Sequence, residues 1–161
     1  MATEFEHIIN NLKECFDGKP WYGISMMKKL DSISWEIVND RKYSSKSIAV
    51  LVQHIINWRV FLLKKLEGDA GYDLKIDGPN DWTTIHINSP EEWTNLKKEL
   101  TQTQNELLAK LALASEETLA QQVPGKNYTF LPILTSISQH DIYHLGQIAM
   151  LDTMMKADSL S

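Results

Sequence analysis

The chain has a single cysteine, Cys15, so no disulfide can form within it and its fold must rest on packing. That usage fits a reducing compartment, and a cytoplasmic location is expected. Glycine and proline are scarce, seven and five residues respectively, which leaves long stretches without a helix breaker. No window approaches the roughly 18 consecutive apolar residues that a membrane span needs. The opening residues Met1-Ala2-Thr3-Glu4-Phe5-Glu6 lack the basic-then-apolar pattern of a secretory leader. Nor is there a basic excess. A formal net charge of −5 with no basic patch argues against nucleic acid or an anionic membrane as partner. What remains, 43% apolar and 23% charged residues, suits a single globular domain over residues 1–161 that can bury a substantial core.

Apolar residues recur at steps of three and four, the period of a helix packed on one face. A first helix is expected from about Thr3 to Phe16, with Thr3 and Glu6 as a capping box and Phe5, Ile9, Leu12 and Phe16 as its stripe. Cys15 lies beside that stripe as a core thiol, and His7 falls off it. Trp21 to Leu30 reads as a shorter helix, and Ser32 to Val38 as a serine-capped turn. A second long helix is expected from Ser44 or Ser45 to Glu67, stopped by Gly68. It carries two adjoining stripes, Ile48-Val52-Ile55-Leu62-Leu66 and Leu51-His54-Trp58-Phe61, and so should be buried against more than one neighbour. Asp69 to Ser89 is the longest irregular stretch; it either crosses the length of a bundle or covers a site. His86, within it, is expected at the surface. Ser89 and Pro90 open a third long helix with Trp93, Leu96, Leu100, Thr103, Leu107 and Leu111 inward. A fourth runs from Thr129 to Lys156. The class is all-α, an antiparallel helical bundle by default.

The fourth helix holds the unusual feature. Its stripe reads Phe130, Ile133, Ile137, His140, His144, Ile148, Leu151, Met155. Two histidines thus occupy core positions one turn apart, and His54 occupies a third on the second long helix. A buried imidazole needs both nitrogens paired. Three of them from two helices suffice to hold one divalent first-row ion and leave positions open for water or substrate. Asp141 points off the histidine stripe and is not assigned as a base. Gln147, one turn beyond His144, either orients a ligand or, as the simpler reading, serves packing or a dimer face. Tyr143 and Trp58 are candidate pocket residues, with core packing the plainer role for Trp58. Gly146 in mid-helix costs about 1 kcal/mol against alanine, which points to close helix approach or to room near the ion.

The run His140-Asp141-Ile142-Tyr143-His144-Leu145-Gly146-Gln147-Ile148 resembles the last-helix motif of the DinB/YfiT-like superfamily of metal-dependent proteins. Ser47-Ile48-Ala49-Val50-Leu51-Val52-Gln53-His54-Ile55 is similar to its second-helix motif, and the order of elements agrees over nearly the whole chain. The resemblance implies a four-helix bundle with up-down-down-up connections. It implies a divalent metal, nickel or zinc first and iron or manganese as alternatives, on His54, His140 and His144. It also implies a homodimer and, in some relatives, transfer chemistry with a low-molecular-weight thiol such as bacillithiol or mycothiol. A metal-dependent thiol S-transferase acting on a small molecule is therefore the leading expectation. A metal-dependent hydrolase and a non-catalytic, stress-associated metal-binding dimer are the alternatives.

Overall fold

The computed structural model describes residues 2–158 and contains five α-helices: α1 (Glu4–Phe16), α2 (Met26–Asp31), α3 (Ile48–Leu66), α4 (Pro90–Ala112) and α5 (Phe130–Asp158). Two short 3₁₀ turns, Trp35–Ile37 and Glu116–Ala120, lie between them. Among the described residues there is no strand, only an isolated bridge between Gln122 and Thr129.

Most helix ends are written in the sequence. The Thr3 hydroxyl accepts from the Glu6 N–H while the Glu6 carboxylate accepts from the Thr3 N–H, closing the expected capping box. Ser89 accepts from the Glu92 N–H, with Pro90 at the first helical position. Gly68, at φ +88°, ends α3 in the left-handed conformation that glycine adopts without strain.

Two boundaries differ from expectation. The cap of α3 is Ser47 rather than Ser44 or Ser45; its backbone is extended, and its hydroxyl accepts from the Val50 N–H at 3.4 Å. The Ala49 N–H donates to the Val38 carbonyl, so the start of α3 is pinned to the preceding 3₁₀ turn. The helix expected from Trp21 begins only at Met26, because Gly23 sits at φ +127° and Ser25 is extended. Trp21, read as a helical residue, is 97% exposed in a turn.

The helix directions follow from which residues meet. On α3 and α4, Arg59 bonds Gln104 and Glu67 pairs with Lys110 at 3.1 Å, so position advances together along both and the two are parallel. On α5 the order reverses. Ile48 to Ile56 of α3 share a core cluster with Leu145 to Met155, whereas Leu62 and Leu63 share another with Phe130 to Ile137. Phe5, Ile8 and Leu12 of α1 join the second cluster and Phe16 the first, so α1 also opposes α3. The connection is up-down-down-up. A parallel pair joined in sequence needs a return over the length of α3, 19 residues and roughly 28 Å. The segment from Glu67 to Ser89 makes that return. Its start is held by Lys65, whose buried ammonium donates to the carbonyls of Asp69 and Ala70. Gly125, at φ +75°, packs so closely on it that a Cβ would stand 2.5 Å from the Ala70 oxygen.

The stripes of α3 and α4 are buried as the periodicity predicts, except that Trp58 and Leu66 are half-buried. On α1 and α5 the inward set shifts slightly, with Ile8 deeper than Ile9 and Leu134 deeper than Ile133. The buried charges Arg59, Lys65, Asp141 and Asp152 lie outside any predicted stripe.

Candidate metal centre

His54 comes from α3, and His140 and His144 come from successive turns of α5. Antiparallel packing of these two helices brings the three rings together. The Nε2 atom of His140 lies 3.0 Å from that of His54 and 3.1 Å from that of His144. His54 and His144 are each 4% exposed, whereas the His140 side chain is 25% exposed and marks the side of the cluster nearest solvent.

Two of the rings turn their other nitrogen outward to a specific acceptor. His54 Nδ1 is 2.8 Å from Asp81 Oδ1 and 3.1 Å from the Asp81 carbonyl. His144 Nδ1 is 2.6 Å from Gln147 Oε1. His140 Nδ1 has no hydrogen-bond partner and stands 3.9 Å from Asp141 Oδ1, which also has none. A carboxylate and a carbonyl can only accept, so His54 must carry its proton on Nδ1 and leave Nε2 with a lone pair. The Gln147 oxygen does the same for His144. His140 could then place one proton between itself and only one neighbour, leaving the other contact lone pair against lone pair at hydrogen-bond distance. A cation among the three Nε2 atoms removes that conflict, and one ion can be reached by all three at the usual metal–imidazole length of about 2.0–2.1 Å. Burial also favours neutral rings. It pushes the His54 pKa below its ordinary value against the opposing effect of the Asp81 carbonyl. For His144 burial, reinforced by neighbouring His140, lowers it to about 4.

The return segment completes the site. Asp81, buried, accepts at Oδ1 from both His54 and the Trp58 indole at 2.9 Å, and at Oδ2 from the Asp77 N–H at 2.8 Å. Asn57 ties the same stretch down through the Asn80 carbonyl at 2.9 Å and the Thr83 hydroxyl at 3.0 Å. Trp82 then lies flat on the His54 ring, 3.8 Å between centroids and 4° from parallel. The segment between Asp69 and Ser89 therefore does both things the sequence left open: it crosses the bundle and it builds one wall of the site. Nothing in the sequence marked Asp81 or Trp82, because their role depends on where a segment without periodicity comes to rest.

Behind the histidines lies a buried ionic group. Arg59, with no exposed surface, donates to Asp141 Oδ2 and to Gln104 Oε1, while Gln104 Nε2 donates to the Leu12 carbonyl at 2.9 Å. Asp141 is thus engaged by Arg59 with one oxygen and turns the other toward the outer nitrogen of His140. This agrees with leaving it unassigned as a base and gives it a structural task the sequence did not reveal.

The remaining sequence candidates resolve as follows. Gln147 bonds His144, which displaces the packing role preferred from sequence, and its amide donates to the Tyr143 hydroxyl at 3.2 Å. Tyr143 is 64% exposed, with its ring steeply inclined to that of His144 at 4.9 Å between centroids. Trp58 is half-buried and, beyond packing, holds Asp81. Gly146 allows no close helix approach, since an added Cβ would meet nothing within 4 Å. Its value is open space on the face that carries Gln147. His86 and His7 are exposed, away from the cluster.

The sequence profile of the DinB superfamily matches residues 30–148, the span that contains α3, α4, both histidine-bearing segments and the return between them. The chain belongs to the DinB superfamily. No curated protein and no solved structure gives a significant match. Among the described residues of this DinB-superfamily chain, His54, His140 and His144 are the group of histidine, cysteine and acidic side chains whose donor atoms lie within 4.8 Å of one another. Family and geometry together indicate a divalent metal site. No described helix is long and apolar enough to cross a membrane.

Proposed function

We propose that this protein is a metal-dependent enzyme that transfers a low-molecular-weight thiol to a small electrophile, with His54, His140 and His144 holding nickel or zinc. The observation that carries this reading is a ligand set of three imidazoles with no carboxylate among them. Such a set leaves the ion's charge uncompensated, so that when bound it acts as a Lewis acid and lowers the pKa of a thiol or water that joins it. The chain's own residues do the positioning. Asp81 and Gln147 fix the tautomer and ring plane of His54 and His144, as acceptors behind metal-bound histidines generally do. Trp82 and the return segment keep water from the His54 side. The partly exposed edge of His140 leaves an approach for substrate. The carboxylates nearest the rings, Asp81 and Asp141, stand at the outer nitrogens of His54 and His140 and are held by Trp58 and Arg59, rather than on the Nε2 side where a general base would meet a bound water, which supports thiol transfer over hydrolysis.

The test is to load metal-free protein with zinc or nickel and follow consumption of glutathione or bacillithiol in the presence of chlorinated or epoxide electrophiles. Metal-dependent turnover, lost in His140→Ala, is the expected result. Tight metal retention without turnover across thiols would overturn the enzymatic reading and leave a metal-binding bundle. A homodimer belongs to the same proposal, supported by the exposed apolar side chains of Trp21, Tyr22 and Ile142. Sedimentation at micromolar concentration giving only monomer would remove it.

A further inference from the structure

A cavity of about 640 Å³ opens between the start of α3 and the second half of α5, against the wall formed by Trp82, Tyr143 and Gln147. Two of these wall residues touch the histidines directly, since Trp82 stacks on His54 and Gln147 bonds His144. Its size falls within the range of small-molecule sites. We propose that this cavity binds a small molecule with an apolar body and an anionic group, the anion lying at Lys46. No histidine lines the cavity, so the proposal names a ligand that binds beside the metal site, against the residues that hold His54 and His144, and it does not rest on the catalytic reading above.

Three observations carry it. The first is the lining. Leu51 and Leu151 give the cavity a buried apolar floor, and the exposed Met150 and Met154 give it a flexible apolar rim that adapts to bodies of different shape. The second is charge. The chain carries 21 acidic residues against 16 Lys and Arg, yet the cavity lining contains no carboxylate and one cation, Lys46. Among the described residues no carboxylate lies within 4.0 Å of the Lys46 ammonium, which rests over the Trp82 ring at 4.4 Å from its centre. Nearby Lys42, by contrast, is engaged by Asp158. An ammonium held on an aromatic face at the mouth of an apolar cavity retains its capacity for an anion. The third is Gly146. It lines the cavity, and the space where its side chain would stand is empty, so the residue that weakens α5 is also one that keeps the cavity open.

The experiment titrates the full-length zinc-loaded protein with two fluorescent probes of the same shape, 8-anilinonaphthalene-1-sulfonate and the uncharged N-phenyl-1-naphthylamine. Both are expected to bind. Lys46→Gln should weaken the sulfonate about tenfold, the scale of one lost charge-assisted contact, and leave the neutral probe within twofold. Gly146→Phe, which fills the cavity from a helical position with room for it, should abolish both. Ile76→Ser, an exposed apolar residue outside the cavity, should change neither. An unchanged sulfonate affinity in Lys46→Gln overturns the anion assignment. Binding of both probes undiminished in Gly146→Phe, or no binding to the wild type, overturns the cavity as a site. Zinc content is measured on the same samples. Equal zinc in Lys46→Gln and wild type with lost sulfonate binding supports the proposal independently of turnover, whereas failure of the metal reading would show as zinc unaffected by His140→Ala.

Discussion

Replacing Asp141 by leucine should destabilise the metal-free protein far more than an ordinary polar substitution. Arg59 is wholly enclosed, its acceptors are Asp141 and Gln104, and its Nε has no partner. The Asp141 side chain is 3% exposed. Taking the carboxylate away leaves a guanidinium in the interior with one neutral amide oxygen, a situation that typically costs about 3–5 kcal/mol. For a chain of 161 residues that corresponds to a fall in melting temperature of roughly 6–20 °C. Arg59→Met should cost a similar amount by stranding the carboxylate. Removing both partners, as Arg59→Met with Asp141→Leu, should recover most of the loss, because matched apolar replacement of a buried pair is often close to neutral. The assay is urea unfolding of the four proteins in the presence of a chelator, read as a double-mutant cycle with a coupling of about 2 kcal/mol or more. Single variants that each lose less than about 1 kcal/mol and simply add in the double would refute the reasoning. The pair matters to the site because it joins α3 to α5 beside the histidines. It thereby fixes the register that sets His54 against His140.

Four further outcomes follow from the same geometry. Asp81→Ala, which deprives His54 and Trp58 of their shared acceptor, should weaken metal binding about 10–100-fold by competition with a chromophoric chelator; an unchanged affinity would remove the return segment from the site. Gln147→Ala should weaken it in the same direction, while Tyr143→Phe, which alters only the hydroxyl that accepts from Gln147, should have a smaller effect. Cys15, buried beside Asp141 and with its pKa pushed up to about 12 by burial, should resist 5,5′-dithiobis(2-nitrobenzoate) at pH 8 in the folded protein and react fully in guanidinium; rapid native modification would show the core open there. Gly146→Ala should raise stability by about 0.5–1 kcal/mol, since the added Cβ meets nothing and helix propensity improves.

How much of this was legible in the sequence depends on whether periodicity carried it. The four long helices, the Thr3–Glu6 box, the Ser89–Pro90 start and the Gly68 stop all rest on local chemistry, and apart from the start of α3 they stand where local chemistry puts them. The inward placement of His54, His140 and His144 was readable for the same reason, because a helical stripe states which way a side chain points. Trp21 was misplaced by the same logic, since apolar spacing cannot register that Gly23 and Ser25 leave the helical region. The partners of the histidines were beyond reach. Asp81 and Trp82 act from a segment with no period, and Gln147 offered two roles that only a distance distinguishes. Asp141 was legible only as a residue off the histidine stripe, and Arg59 carried no signal at all. Their burial becomes evident only when α1, α3, α4 and α5 close around them.

The central claim is that three histidines from two helices hold one ion, and it is tested most directly by metal content. Protein produced without an affinity tag, and its His54→Ala, His140→Ala and His144→Ala variants, would be dialysed against metal-free buffer and analysed by inductively coupled plasma mass spectrometry. Close to one divalent ion per chain is expected in the wild type, with a marked loss in every variant that remains folded by circular dichroism. Folded variants holding as much metal as the wild type would contradict it.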